Sequence, residues 1–240
     1  MTYWVVKVVL TPVLRFFYRV KVEGIEHLPA GGPVILASNH VSFSDSIFLP
    51  MVLKRRVTFV AKAEYFEDPK TAWFFRAVGQ IPIHREGGSA SEGALAAARQ
   101  VLAGGGVFAI YPEGTRSPDG RLYRGHTGVA RLALTCRAPI IPVAMIGTRH
   151  AQPIGQVVPN PFVPITVRLG RPLTYERLHE RVDDRLALRD ITDEVMYELR
   201  ELSGQEYVPR YATRNGAEAG APGPVRIGSA AAPPDLATVG

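Results

Sequence analysis

Residues 33–45 read PVILASNHVSFSD, a short apolar run that leads into a polar segment containing His40 and Asp45. A second segment of the same kind, residues 106–117, reads GVFAIYPEGTRS. Continuous apolar runs of this length are typical of strands that are buried on both faces of a sheet. Open α/β sheets build their sites from polar residues just past the carboxyl ends of such strands. The two segments therefore predict a sheet with a functional site at one edge.

The rest of the chain alternates strand-like and helix-like segments. Short apolar runs predict strands at residues 20–22, 34–37, 57–60, 80–83, 107–110, 140–145 and 165–169. Helical periodicity and helix-end signals predict helices at residues 46–54, 71–78, 89–103, 127–135 and 185–202. This alternation predicts an α/β fold, with a mixed, largely parallel sheet flanked by helices in a single domain over residues 21–211. Residues 212–240 are dominated by Ala, Gly and Pro, which predicts a disordered tail.

Composition narrows the class of protein. A chain of 240 residues that is 46% hydrophobic and 21% charged fits a globular domain with a sizeable core. The formal net charge of +6 favours an anionic partner, such as nucleic acid, an acidic membrane or a phosphorylated substrate, although it also fits solubility alone. The single cysteine, Cys136, excludes an internal disulfide, and its apolar surroundings predict a buried thiol.

The N-terminal segment, residues 1–20, mixes Trp, Phe and Tyr with basic residues. A membrane-spanning helix needs about twenty predominantly apolar residues. Because Lys7, Pro12 and Arg15 interrupt the run, we do not expect this segment to span a bilayer. It suits an N-terminal membrane-associating helix that lies in the interface. A helix docked on the protein's own core is the alternative, and both hold if one face packs while the other meets lipid.

His40 and Asp45 are candidates for acid–base chemistry. If the chain folds them together, the carboxylate would orient the imidazole and stabilise its protonated form. The imidazole could then take a proton from a bound hydroxyl group. Their separation of five residues does not fix their distance, so a structural histidine that caps a turn fits the same pattern.

The second segment offers an anion-binding group. Arg116 follows Glu113, Gly114 and Thr115. A guanidinium binds phosphate or carboxylate through paired hydrogen bonds, and a glycine lets backbone amides approach an anion closely. A surface turn in which Glu113 pairs with Arg116 is the alternative.

Two further cations follow predicted strands. Arg85 follows the strand at residues 80–83, and Lys62 follows the strand at residues 57–60. Both are candidates for the same anion site. The sequence lacks three motifs that would indicate other classes of site: it contains no G-x-x-x-x-G-K-[ST] phosphate loop, no G-x-S-x-G turn and no H-E-x-x-H zinc motif.

Taken together, these motifs resemble the signature blocks of the glycerolipid acyltransferase superfamily, to which the lysophosphatidic acid acyltransferases belong. Residues 39–45 look like the first block, residues 79–85 the second, residues 111–117 the third and residues 140–145 the fourth. The blocks occur in the family's order and spacing, and the resemblance covers about residues 20–205. The second block departs from the family, because Pro82 replaces a frequent Phe and His84 a frequent acidic residue.

The resemblance implies transfer of a fatty acyl group from acyl-CoA or acyl carrier protein to the free hydroxyl of 1-acylglycerol 3-phosphate, giving phosphatidic acid. It assigns His40 as the general base and Asp45 as its orienting partner. Arg85 and Arg116 would bind the acceptor's phosphate. The full set of expected substrate-binding residues is Lys62, Arg85, Glu113, Gly114, Thr115 and Arg116.

The resemblance also implies a cellular location and a set of binding partners. We expect the cytoplasmic face of the cell membrane, with the chain held there as a peripheral or monotopic protein. The partners are a lysophospholipid, an acyl-CoA or acyl carrier protein, and the membrane surface. No nucleic acid, metal or bound cofactor is implied. Three alternatives stay open: another lysophospholipid or glycolipid acceptor, a non-catalytic membrane-binding protein, and a hydrolase.

Overall fold

Strands and helices alternate along most of the chain in the computed structural model, which describes residues 2–83 and 89–213. The strands are β1 (Val20–Glu23), β2 (Val34–Ser38), β3 (Val57–Thr58), β4 (Val60–Lys62), β5 (Ile81–Ile83), β6 (Val107–Ile110), β7 (Leu122–Tyr123), β8 (Ile140–Ile146), β9 (Ile165–Leu169) and β10 (Tyr207–Val208). The helices are α1 (Thr2–Phe17), α2 (Asp45–Val52), α3 (Glu64–Glu67), α4 (Pro69–Ala77), α5 (Ser89–Ala103), α6 (Gly128–Cys136), α7 (Thr148–Ala151) and α8 (Arg185–Ser203).

Six strands form the central sheet, in the order β1-β9-β8-β2-β6-β3. Neighbouring strands run parallel except for β8 and β9, which are antiparallel. The sheet is therefore mixed and largely parallel, and it confirms the predicted α/β fold. β2 lies inside the sheet between β8 and β6, and all its residues are buried. This position explains why its sequence is a continuous apolar run.

The two faces of the sheet are covered by different elements. Successive residues of a strand point to opposite faces. In β2, Ile35 and Ala37 pack into a cluster with buried residues of α5, α6 and α8. Val34 and Leu36 pack on the other face, with buried residues of α2 and with Tyr18. The core is therefore divided by the sheet, and the polar segment after β2 emerges from its middle.

The single strand predicted at residues 57–60 is wrong. The chain pairs with β6 only through β3, and β4 pairs instead with β5 in a separate two-stranded sheet. Phe59 lies at the break, where its carbonyl oxygen accepts a hydrogen bond from the backbone of Ile81 and its ring packs against Tyr111. A run of strand-forming residues cannot reveal such a change of partner. The two-residue strands β7 and β10 and the short helices α3 and α7 were also missed, because such short elements carry too little periodicity.

Helix α1 docks one face on the core. Tyr3 is buried, and its hydroxyl oxygen accepts a hydrogen bond from the backbone N–H of Val57. The ammonium group of Lys7 donates to the carbonyl oxygen of Leu53. The opposite face exposes large apolar side chains, among them Val8 and Phe16. Within residues 2–83 and 89–213, no helix combines the length and apolar character needed to cross a bilayer. Of the predicted tail, residues 212–240, all but the first two residues lie outside the described part of the chain.

We expect Leu36→Ala to lower the free energy of unfolding by about 2–5 kcal/mol, because the truncation leaves a cavity in the middle of the sheet. The matched control is Leu186→Ala, since Leu186 exposes 74% of its surface on α8. This control should change the free energy of unfolding by no more than about 0.5 kcal/mol. Urea unfolding followed by circular dichroism measures both, and equal effects would contradict the assigned core.

Candidate active site

The two motif segments meet at the carboxyl ends of neighbouring strands. β2 and β6 are parallel and adjacent, with Val34 opposite Val107, so the loops that follow them leave the same edge of the sheet. The contact is direct, because the backbone N–H of Ser117 donates a 2.7 Å hydrogen bond to the carbonyl oxygen of His40. The structure therefore brings both motifs together at one place.

Asp45 organises the first loop. Its side chain is fully buried at the start of α2. Oδ2 accepts hydrogen bonds from Nδ1 of His40 at 3.0 Å and from the backbone N–H groups of Val41 and Ser42, both at 2.8 Å. The positive end of the α2 dipole also favours a carboxylate at this position. The fold thus supplies the contact that the five-residue spacing alone left undecided.

The imidazole of His40 is held in two directions. Asp45 fixes the ring in its plane, and the ring of Tyr111 stacks on its face with centroids 3.7 Å apart and planes 9° apart. The hydroxyl group of Tyr111 forms a 2.8 Å hydrogen bond with Oγ of Ser46. Burial, together with the negative charge of Asp45, raises the pKa of Tyr111 well above its usual value, so this hydroxyl stays protonated.

This arrangement sets the proton positions on His40. A carboxylate oxygen accepts hydrogen bonds, so the contact with Asp45 requires a proton on Nδ1. Nε2 of a neutral imidazole is then the atom that can accept a proton. The adjacent carboxylate would stabilise the imidazolium that forms. The pair therefore has the geometry of an oriented general base.

Glu113 fastens the second loop to the first. Its side chain is almost fully buried; Oε1 accepts from the backbone N–H of His40 at 3.2 Å, and Oε2 accepts from that of Tyr123 at 2.9 Å. Both oxygens are thus engaged with backbone amides, and no ion pair joins the carboxylate to Arg116. Burial is the largest influence on this carboxyl and raises its pKa from 4.5 to about 7.

Gly114, Thr115 and Arg116 form the turn beside His40. Gly114 has a φ of 73°, and a Cβ atom there would lie 3.1 Å from the ring of His126, so the turn requires glycine. Thr115 and Arg116 are half-buried. Among the described residues, none forms a hydrogen bond or ion pair with the guanidinium of Arg116. A cation that no described residue neutralises therefore lies one residue from the contact between Ser117 and His40.

The other two candidate cations are placed less fully. Lys62 ends β4 and pairs with Ile83 of β5, but only its backbone is described. Arg85 lies outside the described residues. Phe59, three residues before Lys62, lies near the site, since its ring stacks on Tyr111 with centroids 5.4 Å apart.

Two residues that the sequence analysis missed hold the site in place. The side chain of Asn39 accepts from the backbone N–H of Met145 at 2.7 Å and donates to its carbonyl oxygen at 3.1 Å, so it locks the first loop to β8. The guanidinium of Arg149 donates to the carbonyl oxygens of Ser117 and Pro118 at 3.3 and 3.1 Å. Asn39 could have been found, because it begins the first motif, whereas Arg149 follows β8 with no motif to mark it.

Two other kinds of site can be assessed among the described residues: a metal site and a cysteine nucleophile. Within the described ranges, no three His, Cys, Asp or Glu side chains form a group that could hold a metal ion. Cys136 is half-buried at the end of α6, where burial raises the pKa of its thiol.

Comparison with known proteins agrees with this architecture. A family model described as Acyltransferase matches residues 19–146, slightly more than half of the chain. The chain is 31% identical over 140 residues to a chloroplastic 1-acyl-sn-glycerol-3-phosphate acyltransferase of Arabidopsis thaliana, covering 58% of this chain and 39% of that protein. It is 31% identical over 130 residues to a 1-acyl-sn-glycerol-3-phosphate acyltransferase of Bacillus subtilis, covering 53% of this chain and 63% of that protein.

A solved structure is also similar. The crystal structure of the 1-acyl-sn-glycerophosphate acyltransferase PlsC from Thermotoga maritima superposes with a TM-score of 0.55 and 26% identity, covering 77% of this chain and 73% of that one. The chain therefore belongs to the acyltransferase family. It spans about two fifths of the length of the chloroplastic relatives that it matches.

The raised pKa of Glu113 predicts a pH-dependent stability. The neutral carboxyl contributes stability that is fully present below pH 4.5 and is lost as the pH rises through about 7. Relative to Glu113→Gln, which cannot ionise, the free energy of unfolding of the wild type should fall by roughly 2–3 kcal/mol between pH 4.5 and pH 7.5. Urea unfolding of both proteins across this range is the measurement. Parallel pH profiles would contradict the assigned burial of a titrating carboxyl.

Proposed function

We propose that this chain transfers a fatty acyl group from a thioester donor, acyl-CoA or acyl carrier protein, to the free hydroxyl of 1-acylglycerol 3-phosphate. The product would be phosphatidic acid. The observation that carries the proposal is the His40 imidazole, fixed by Asp45, in a loop that directly contacts the turn containing Arg116. Family membership and the names of the relatives support the same reaction.

The proposed chemistry needs no nucleophile from the protein. Nε2 of His40 takes the proton of the acceptor hydroxyl as its oxygen attacks the thioester carbonyl carbon. The oxyanion that forms collapses with cleavage of the C–S bond, and the departing sulfur takes the proton from the imidazolium. Asp45 stabilises the imidazolium between these two steps. The stacked ring of Tyr111 keeps Nε2 in one direction throughout.

Arg116 is the proposed ligand of the acceptor's phosphate. A guanidinium can form two parallel hydrogen bonds with a phosphomonoester, and none of the described residues competes for this one. Lys62 and Arg85 remain proposals for the same site, with Gly114 and Thr115 shaping the turn. The preference for a phosphomonoester would come from its extra negative charge relative to a phosphodiester.

We also propose that the chain works at a membrane surface, on the cytoplasmic face of the cell membrane. Both lipids in the proposed reaction are amphiphiles that associate with membranes, and the outer face of α1 suits the membrane interface. It exposes large apolar side chains, including Val8 at 69% and Phe16 at 77%, beside the exposed cations Arg15 and Arg19.

His40→Ala should lower the rate of phosphatidic acid formation by about 10²–10⁴-fold, because it removes the proposed base. The matched control is His150→Ala, which changes an exposed histidine and should leave the rate unchanged. The rate is measured by mass spectrometry of the product, and thermal unfolding checks that both variants fold. A folded His40→Ala variant with near wild-type activity would remove the base from the mechanism.

Arg116→Ala should lower kcat/KM for 1-acylglycerol 3-phosphate by about 10–100-fold, equivalent to losing charge-assisted hydrogen bonds worth about 1.5–3 kcal/mol. Arg116→Lys keeps the charge but loses the paired geometry, so an intermediate loss is expected. The measurement is a set of initial rates against acceptor concentration, repeated with lysophospholipids whose phosphate is a diester. An unchanged acceptor dependence would exclude Arg116 from the phosphate site. Faster turnover of a diester acceptor would instead favour the alternative lysophospholipid substrates, which the altered second block leaves open.

A further inference from the structure

The segment between α7 and β9 exposes an unusual amount of apolar surface. In this segment, which we call loop 153–163, Val157 exposes 86% of its surface, Val158 72% and Phe162 65%. Soluble chains rarely expose several large apolar side chains together without a binding role. No part of the proposed catalytic chemistry uses these residues.

Loop 153–163 is continuous with the exposed face of α1. The backbone N–H of Phe162 donates a 2.6 Å hydrogen bond to the carbonyl oxygen of Phe17, and the two rings lie 5.9 Å apart. Val13, one turn back along α1, and Phe16, the neighbour of Phe17, are also exposed. Two segments far apart in the sequence therefore form one apolar surface.

Hydrogen bonds tie part of the backbone of loop 153–163 to nearby residues. The side-chain amide of Gln152 donates to the carbonyl oxygens of Gln156 and Val157, at 3.1 and 2.9 Å. The amide of Gln156 donates in turn to the carbonyl oxygen of Val158, and the backbone N–H of Asn160 donates to Ala151. In water, a backbone group without a protein partner can bind water molecules instead. In lipid, such a group has no partner, and moving it there costs free energy. The carbonyl groups of Gln156, Val157 and Val158 would thus keep their partners on leaving water.

Charge decides which partner fits. Residues 2–22 and 148–163 contain no Asp or Glu, whereas Arg15 and Arg19 are exposed. This surface is therefore apolar and basic, which complements an anionic lipid bilayer. Two copies of the chain meeting through it would bring like charges together, so a second copy is disfavoured.

We propose that loop 153–163 is a second membrane-insertion element, which enters an anionic bilayer alongside α1. The inference rests on the proposed action at a lipid surface. Two anchors fix the orientation of the molecule on the bilayer, whereas α1 alone would allow it to roll about the helix axis. The orientation would extend to the site, because Oγ of Ser42 donates a 2.8 Å hydrogen bond to the carbonyl oxygen of Gln152, and the N–H of Ser42 donates to Asp45.

The test is co-sedimentation of the full chain with vesicles of phosphatidylcholine and phosphatidylglycerol, without acyl donor. Val157→Asp and Val158→Asp should each weaken vesicle affinity by about tenfold, since each places a charge where the proposal has an apolar side chain in contact with lipid. The matched control is Leu186→Asp, because Leu186 is similarly exposed on α8, which packs on the opposite face of the sheet. This control should bind like the wild type.

A second measurement reports insertion directly. An environment-sensitive fluorophore on Val158→Cys, in a Cys136→Ala background, should shift its emission to the blue when vesicles are added. The same label on Leu186→Cys should not shift. An unshifted label at position 158 would overturn the proposal even if the aspartate variants failed to fold.

Three outcomes would contradict the proposed insertion of loop 153–163 into an anionic bilayer. Wild-type affinity of both aspartate variants would leave α1 as the sole anchor. Concentration-dependent association that Val157→Asp abolishes would indicate a protein partner. Equal binding to vesicles of phosphatidylcholine alone would remove the role of the basic surface. His40→Ala should bind vesicles normally, so loss of catalysis and failure of this inference are separable.

Discussion

Oδ2 of Asp45 accepts three hydrogen bonds in a position closed to solvent, from His40 and from the backbone of Val41 and Ser42. Burying a carboxylate costs free energy unless hydrogen bonds and favourable dipoles replace its hydration. The two backbone amides and the start of α2 supply that compensation at Oδ2, whereas no described residue donates to the buried Oδ1. The bonds to Oδ2 wrap the loop around the carboxylate. The position of the imidazole is therefore a consequence of how the carboxylate is satisfied.

The sheet supplies the second half of the site. Since β2 and β6 are adjacent and parallel, the turn containing Arg116 leaves the sheet beside the loop containing His40. Glu113 joins them by accepting from one backbone amide on each side. A lone imidazole can serve many reactions and a lone arginine can bind many anions. Their placement at one sheet edge is what favours activation of a hydroxyl on a phosphorylated substrate.

Much of the fold could be predicted from the sequence, because the strands inside the sheet are continuous apolar runs and α5 and α8 carry clear periodicity. The break at Phe59 could not, since the choice of partner strand depends on tertiary contacts with Ile81 and Tyr111. The motifs indicated His40 and Asp45 as a pair, but their distance depends on a loop conformation that no spacing encodes. The engagement of Glu113 with backbone amides was also hidden, because its partners lie 73 and 10 residues away along the chain.

The most direct test of this account is the effect of Asp45→Asn on thiol release from a long-chain acyl-CoA in the presence of 1-acylglycerol 3-phosphate. Asparagine has the same shape and can still accept from the two backbone amides, so the fold should survive, as thermal unfolding can verify. It lacks the charge that would stabilise the proposed His40 imidazolium. The rate of thiol release should therefore fall by about 10²–10⁴-fold. A folded variant that releases thiol at the wild-type rate would contradict it.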